Sequence, residues 1–405
     1  MKRRLLWGPV AAALLVLVPV AALGQAATAI PAWIAPPSFA PAKPRDGEPV
    51  SYEDQSVRQD IRLRAATSRI RLRLTNEYGA EAVALAGVEM RRVAPDGSLG
   101  EAVRLTFDGR PGATIVPGAA LYTDAADFAA PAFADVAVTV HYLALATPVA
   151  HRLPVRIAAG AATPPSAAVP VRGAAIVSAV ETEAAPSDCR RVVVALGDSI
   201  TEGAGSTANN DWPSLLGRKL AAGRCPHVVL NAGISGNKLL SNGGSPGLLA
   251  RLDRDVLALP GVTDIVFVEG INDIRAMKSG GGDPEILAAT LVAGYRQLVA
   301  RAHAHGIRVI GGTLVPYKGT ARQGPLGLAI VERVNAAIRR GDIFDAVIDF
   351  DRAMADPADP QRMRAELQKG DWLHPNDAGY QVMAAAIPAS LFDAPADGRG
   401  AERRP

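Results

Sequence analysis

The sequence predicts an α/β architecture built on a doubly wound parallel sheet, preceded by a smaller all-β sandwich. From residue 190 to residue 393, short apolar runs alternate with longer amphipathic segments, as in parallel strands joined by helices. From 51 to 158 the apolar residues recur with a period of two, and turn signals separate the runs. The intervening segment 159–189 is rich in Ala, Pro and Ser, which predicts a linker.

Length and composition agree with two folded parts. The 405 residues exceed what one ordinary core fills, and the content of 49% hydrophobic and 20% charged residues is typical of globular proteins. The formal net charge is +3, and Lys and Arg are scattered rather than clustered next to aromatic residues. This pattern indicates solubility and excludes a nucleic-acid-binding surface of the usual kind.

The amino terminus predicts export. Positive residues at 2–4 precede an apolar run at 5–23, and Ala22 and Gly24 are the small residues expected before a cleavage site. Residues 1–24 are therefore predicted to be a signal peptide, and the alternative is an uncleaved membrane anchor. No Cys follows the run, which argues against a lipid anchor.

The remaining ends of the chain carry no sustained periodicity. Residues 25–50 are rich in Ala and Pro and are predicted to form a leader or extended arm. Residues 394–405 are predicted to be a disordered tail.

The region 51–158 has the alternation of a half-buried sheet. Ile70, Leu72 and Leu74 alternate with Arg71 and Arg73, and comparable runs surround residues 61–63 and 136–140. Short strands at this spacing predict a β-sandwich. Its role is either a carbohydrate-binding or substrate-shaping module or a structural accessory, and the lack of a clear aromatic platform favours the structural role.

The region 190–393 is predicted to alternate strands with helices. Predicted strands cover 192–196, 227–230, 265–268, 307–310 and 346–348, and predicted helices cover 212–222, 248–257, 286–305, 330–339 and 378–391. The first strand is apolar throughout, as expected for a central parallel strand buried on both faces.

Two cysteines are present, and an exported chain meets oxidising conditions. Cys189 and Cys225 each precede a predicted strand, so they lie at the same edge of the sheet if those strands are neighbours. We expect a structural disulfide there, with free thiols as the alternative.

Four short polar blocks fall at the carboxyl ends of predicted strands or in loops that can reach that edge. They are residues 197–200 (Gly-Asp-Ser-Ile), 231–237 (Asn-Ala-Gly-Ile-Ser-Gly-Asn), 269–273 (Glu-Gly-Ile-Asn-Asp) and 371–375 (Asp-Trp-Leu-His-Pro). Open α/β sheets place their chemistry at this edge. In composition and order, the set resembles the SGNH, or GDSL, esterase and lipase family, and the match covers about half of the chain. The resemblance implies a flavodoxin-like catalytic region and no cofactor.

The resemblance also implies roles for particular residues. Ser199 matches the family nucleophile, His374 the base that accepts its proton, and Asp371 the acid that orients the imidazole. The Ser lacks the Gly-x-Ser-x-Gly setting of α/β-hydrolases.

An oxyanion hole is implied as well. Its donors would be the Ser199 and Gly236 backbone N–H groups and the Asn272 side-chain amide. Gly233 is a rival to Gly236, which the family spacing favours.

The neighbouring residues are assigned supporting roles. Asp198 is expected to buttress the serine loop, Asp273 to assist it, and Trp372 either to line the pocket or to cover the Asp–His loop. Five other histidines lack an Asp-x-x-His-Pro setting and are interpreted as structural or solvated: His141, His151, His227, His303 and His305. No metal site is predicted, because the histidines are dispersed and neither His-Glu-x-x-His nor paired Cys motifs occur.

These patterns favour an exported serine esterase that acts on a small-molecule or polysaccharide ester, with deacetylation of carbohydrate as the narrower hypothesis. Lipase, lysophospholipase, thioesterase and acyltransferase activities of the same fold remain alternatives. A non-enzymatic alternative is a carbohydrate-binding protein.

Overall fold

The computed structural model of the chain describes residues 28–39, 49, 51–164, 166–184, 189–223, 225–276, 283–321, 323–324 and 326–393. The predicted signal peptide, residues 1–24, and the predicted tail, residues 394–405, lie outside these ranges. Within them, every helix is too short or too polar to span a bilayer.

Twelve strands form the first part of the described chain. They are β1 (Thr28–Ile34), β2 (Gln55–Arg62), β3 (Thr67–Thr75), β4 (Val83–Arg92), β5 (Val103–Leu105), β6 (Ala113–Ile115), β7 (Ala120–Tyr122), β8 (Ala126–Ala130), β9 (Asp135–Tyr142), β10 (His151–Ala159), β11 (Val171–Ala175) and β12 (Val177–Ala184). We call residues 28–184 the β region.

The β region is a sandwich of two antiparallel sheets, as predicted. One sheet has the order β1-β12-β3-β7 with β8 also on β3, and the other has the order β11-β10-β2-β9-β4-β5 with β6 on β4. Leu72 and Leu74 of one sheet and Val138 and Val140 of the other belong to one buried apolar cluster. The apolar faces of the two alternating patterns therefore meet, while the Arg side chains of β3 lie on the opposite face.

Two segment predictions are wrong. The predicted leader, 25–50, contains β1, which pairs with β12 from Thr28 to Ile34. The predicted linker, 159–189, contains β11 and β12, which pair with β10 and β3. The composition is misleading because small Ala side chains fill tightly packed inner positions here: Ala175 and Ala179 are both 2% exposed.

The second part of the chain, residues 192–392, is the α/β region. Its elements are β13 (Val192–Gly197), α1 (Ser199–Glu202), α2 (Trp212–Ala221), β14 (Val228–Gly233), α3 (Leu248–Leu252), a π-helical turn (Asp253–Leu257), β15 (Val262–Val268), α4 (Ile271–Arg275), α5 (Pro284–Ala304), β16 (Arg308–Gly312), α6 (Gly327–Arg339), β17 (Ala346–Ile348), α7 (Phe350–Met354), the β18–β19 hairpin (Ala355–Asp356 and Asp359–Met363), a 3₁₀ turn (Ala365–Leu367), α8 (Asp377–Ala385) and a second 3₁₀ turn (Ala389–Phe392).

The central sheet is parallel, with the order β14-β13-β15-β16-β17. This is the flavodoxin-like order, and it confirms the predicted doubly wound sheet. Val192, Val194 and Leu196 pack into one apolar cluster, while Val193 and Ala195 pack into another. Both faces of β13 are therefore covered, which explains why its sequence shows no polar alternation.

The last helix is shorter than predicted. Helix α8 ends at Ala385, and residues 389–392 form a separate 3₁₀ turn. Pro388 lies between them, and proline cannot supply the N–H that a continuing helix requires.

The amino-terminal edge of the parallel sheet is fixed by covalent and ionic contacts. Cys189 and Cys225 form a disulfide with a Cα–Cα distance of 5.8 Å, as expected from the sequence. Buried Asp264 accepts from Arg191 at 2.9 Å and lies 2.6 Å from a nitrogen of Arg308. A carboxylate held between two guanidinium groups satisfies its charge without water.

The β region and the α/β region are packed together. Ile30 and Ile34 of β1 belong to the same apolar cluster as Val192 and Val194 of β13. A polar contact also joins the two regions, because Arg254 donates to the Tyr78 hydroxyl and lies over its ring at 5.2 Å.

Candidate active site

Strand β13 delivers Ser199 to the carboxyl edge of the sheet. The chain leaves the strand at Gly197, where an added Cβ would lie 2.3 Å from the Val268 carbonyl oxygen, so only glycine fits. Asp198 then caps helix α1 by accepting from the Ile200 N–H at 2.9 Å. Ser199 is the first residue of that helix and is 6% exposed.

Ser199, His374 and Asp371 form one hydrogen-bonded row. The Ser199 Oγ lies 2.8 Å from His374 Nε2, and His374 Nδ1 lies 2.6 Å from Asp371 Oδ2. Because a carboxylate only accepts, Nδ1 carries the proton and donates it to Asp371. Nε2 is then the lone-pair nitrogen that accepts from the serine hydroxyl.

The Asp371 side chain fixes the loop that carries Asp371 and His374 by accepting from backbone N–H groups of that loop. Asp371 Oδ1 accepts from the His374 N–H at 2.9 Å and from the Leu373 N–H at 3.1 Å. Trp372 between them has φ +58°, a conformation uncommon for a non-glycine residue. Its ring lies under the Arg362 guanidinium at 4.1 Å.

The protonation states suit proton transfer near neutral pH. Burial acts to raise the pKa of Asp371, but the hydrogen bonds from His374 and Leu373 outweigh it and lower the pKa to about 2. Burial lowers the pKa of His374 below 6.5, although Asp371 acts in the opposite direction. The pair is therefore a carboxylate next to a neutral imidazole.

In the loop after β14, the two candidate oxyanion-hole glycines have different environments. Gly233 is buried, its N–H donates to Asn231 Oδ1 at 2.9 Å, and an added Cβ would lie 2.1 Å from the Glu202 nitrogen. Gly233 is thus a close-packing residue with its donor already used. Gly236 has φ +75°, open space around its Cα, and an N–H without a hydrogen bond in the described part of the chain.

Asn272 lies at the start of α4, directly after β15, and its amide is tightly held. Its Nδ2 lies 3.0 Å from the Asn237 carbonyl oxygen and 3.3 Å from Asp198 Oδ2. The contact with Asp198 is the longer and therefore the weaker of these two hydrogen bonds. Asn272 thereby connects the serine block to the Gly236 loop.

Three buried carboxyl groups surround this edge. Burial raises the pKa of Asp198 to about 7, and burial with the neighbouring Asp198 and Asp273 charges raises the pKa of Glu269 well above its ordinary value. Burial also raises the pKa of Asp273, which accepts from the Leu239 and Leu240 N–H groups at 2.8 and 3.0 Å. Asp273 thus holds the chain just beyond Gly236.

One more charge lies beside the serine and was not singled out in the sequence. Glu202, three residues after Ser199, accepts from Ser235 and contacts His151 of the β region at 2.9 Å. Burial acts to raise the pKa of Glu202, but the bond and charge of His151 outweigh it and the net shift is downward. No sequence signal could have found this contact, because His151 lies in another sheet.

The other histidines lie elsewhere. His141 contacts Ser56, His227 accepts from the Arg191 N–H, and His303 contacts Asp345. Over the described ranges, no group of three or more His, Cys, Asp or Glu residues could hold a metal ion.

Comparison with known proteins identifies the α/β region. Residues 195–382 match the model of the GDSL-like lipase/acylhydrolase family. This segment is a GDSL-like acylhydrolase domain. A domain of this family indicates a hydrolase that acts on esters, and the family resemblance predicted from the four blocks is confirmed.

Several solved structures are similar to the GDSL domain. A putative lipolytic protein of the G-D-S-L family from Desulfitobacterium hafniense is 23% identical with a TM-score of 0.37, over 50% of this chain and 98% of that one. The esterase EstA from Pseudoalteromonas sp. is 21% identical with a TM-score of 0.36, over 48% and 93%. The acetyl xylan esterase AlAXEase is 22% identical with a TM-score of 0.37, over 48% and 96%. None of the curated proteins compared with the chain matches it.

Proposed function

We propose that the protein is a serine esterase that hydrolyses carboxylic esters through an acyl-enzyme, with Ser199 as its nucleophile. The observation that carries the proposal is the row from Ser199 Oγ to His374 Nε2 at 2.8 Å and from His374 Nδ1 to Asp371 at 2.6 Å. A serine hydroxyl is a useful nucleophile only when an adjacent base takes its proton, and the contact with Ser199 supports His374 as that base.

Acylation transfers one proton twice. The Ser199 Oγ attacks the ester carbonyl carbon while its proton moves to His374 Nε2, and the carbonyl π electrons move onto oxygen. The tetrahedral intermediate then expels the alkoxide, which takes the proton from His374 and leaves as an alcohol. Asp371 stabilises the imidazolium between these transfers. Water repeats the sequence on the acyl-enzyme, which releases the carboxylic acid and restores Ser199.

The developing oxyanion needs donors on the other side of the carbonyl. We assign the Ser199 and Gly236 N–H groups and the Asn272 amide to this role. The two N–H groups lack hydrogen bonds to described residues, as expected of donors that await a ligand. The Asn272 amide must give up its longer contact, the one to Asp198 Oδ2 at 3.3 Å, to join them. Asp198 and Asp273 then support the serine block and the Gly236 loop.

The substrate class we propose is a short-chain ester, with acetylated carbohydrate as the specific case, acted on after export. The loop after Gly236, residues 237–247, is rich in Gly, Ser and Asn rather than in large apolar residues, which disfavours a long acyl chain. The disulfide fits an oxidising compartment outside the cytoplasm.

The test is hydrolysis of p-nitrophenyl acetate by wild type and Ser199→Ala. We expect the variant to lose activity while keeping its thermal unfolding midpoint. Undiminished turnover in Ser199→Ala would contradict the assignment. A series of longer p-nitrophenyl esters, run beside acetylated xylan, tests the substrate class, and a preference for long chains would overturn that part alone.

A further inference from the structure

The β region places one side chain next to the candidate active site. His151, the first residue of β10, is 6% exposed, and its Nε2 lies 2.9 Å from Glu202 Oε1. Glu202 is in the same short helix as Ser199, and its other carboxylate oxygen accepts from Ser235. Three residues from two regions thus form one polar chain.

His151 is held at both ring nitrogens. Its Nδ1 lies 2.8 Å from the Pro36 carbonyl oxygen, which can only accept. Its Nε2 lies 2.9 Å from Glu202 Oε1, and the two side chains are only 7% and 21% exposed.

The polar chain ends on the loop that presents Gly236. Ser235 is exposed, and the peptide between Ser235 and Gly236 carries the Gly236 N–H. On the far side, Asn237 is anchored by Ser245, Pro246 and Arg251. On the near side, the side-chain anchor is the hydrogen bond from Ser235 to Glu202.

We propose that His151 is a positioning residue of the esterase site, acting through Glu202 and Ser235 on the Gly236 N–H. The inference rests on the proposed function, since it assigns a purpose to that donor. The β region thereby contributes to catalysis as well as to packing. Without His151, Glu202 loses the contact that holds it in place to accept from Ser235. The Gly236 N–H is then positioned less precisely for the negative charge that develops in the transition state.

A second contact between the β region and the α/β region provides a control. Tyr78 of the β region accepts from Arg254 of the α/β region, far along the chain from Glu202. Tyr78→Phe removes this bond and leaves the polar chain to Gly236 intact. It is the control for any general loosening between the regions.

The experiment measures kcat and KM for p-nitrophenyl acetate in His151→Ala, Ser235→Ala and Tyr78→Phe. We expect kcat to fall about 10-fold to 100-fold in His151→Ala and several-fold in Ser235→Ala, with KM within about threefold of wild type, because the lost interaction forms in the transition state. Tyr78→Phe should leave both constants near wild type.

Unchanged kcat in His151→Ala and Ser235→Ala, or an equal fall in Tyr78→Phe, would overturn the inference. Should His151→Ala fail to fold, Ser235→Ala decides alone, because its side chain is exposed. Activity that survives Ser199→Ala would refute the proposed function instead, so the two failures are distinguishable.

Discussion

The two ends of the central strand β13 differ in how their polar groups are satisfied. At the amino-terminal end, a disulfide joins Cys189 to Cys225, and Asp264 lies between Arg191 and Arg308. At the carboxyl end, Glu269 is buried with its Oε2 lacking a hydrogen-bond partner among the described residues. Ser199 and Gly236 there present N–H groups without acceptors in the same ranges.

This difference indicates where the fold gains stability and where it retains unused binding capacity. Buried polar groups are nearly always paired in proteins, and Glu269 Oε2 departs from that rule at the carboxyl end. The Ser199 and Gly236 N–H groups at the same end are donors of the kind that an oxyanion requires. The paired edge can lose a contact at a cost in stability alone. The unpaired edge should lose activity first.

The largest expected effect is at the carboxyl end. Asp371→Asn should lower kcat about 10³-fold to 10⁴-fold, because an amide in place of the carboxylate no longer enforces the tautomer in which His374 Nε2 accepts. Steady-state hydrolysis of p-nitrophenyl acetate measures the loss. The control is Asp377→Asn. Asp377 is the first residue of the following helix, α8, and its carboxylate accepts from the Thr207 N–H. Equal losses in both variants would contradict the assignment.

The amino-terminal end should show the opposite behaviour. Replacing Cys189 and Cys225 by Ser opens a crosslink of 36 residues, which by the chain-entropy estimate lowers the free energy of unfolding by about 4 kcal/mol. Denaturant unfolding measures the change. We expect kcat at 25 °C to stay within about twofold of wild type, and a large fall in kcat of the folded variant would break the contrast between the two ends.

Asp198 should make the carboxyl end sensitive to pH. Its folded pKa of about 7 lies above the ordinary 3.8, so between those values the folded state binds more protons than the unfolded state. Its contribution to stability is therefore lost as the pH rises. From pH 5 to pH 8, wild type should lose about 2–3 kcal/mol more than Asp198→Asn. Parallel pH dependence of the two proteins would show that Asp198 titrates normally.

The smallest expected effect is the change of kcat/KM between pH 8 and pH 6.5. His374 must be neutral to accept the Ser199 proton, and its pKa lies below 6.5 because it is buried. The value of kcat/KM should therefore change little from pH 8 to 6.5 and fall tenfold per unit below its pKa. A pH–rate profile checks this, and an acid limb centred above pH 7 would contradict it.

Much of the α/β region could be predicted from the sequence because its strands are buried on both faces. Val192 to Leu196 is apolar without interruption, and the turn at Gly197 marks its end. The β1 and β12 strands could not be predicted, since Ala-rich and Pro-rich segments resemble linkers until their partners are known. Small side chains there pack against another sheet, and composition alone does not reveal that sheet.

The candidate site likewise contains residues that the local sequence predicts and one contact that it does not. Ser199, Asp371 and His374 belong to motifs that local sequence displays, and the structure brings them together. The contact of His151 with Glu202 depends on how the β region packs on the α/β region. Such a contact has no local signature, because the two residues lie 51 positions apart in different elements.

Covalent labelling tests directly whether Ser199 is the nucleophile. A fluorophosphonate reacts with an activated serine hydroxyl, forms an O–P bond and expels fluoride. Intact-mass and peptide analysis of the treated wild-type protein should show one phosphonate on the peptide that contains Ser199, and none on Ser199→Ala or Asp371→Asn over the same time. Labelling at another serine, or an unlabelled wild-type protein that still hydrolyses p-nitrophenyl acetate, would contradict the assignment of Ser199 as the nucleophile.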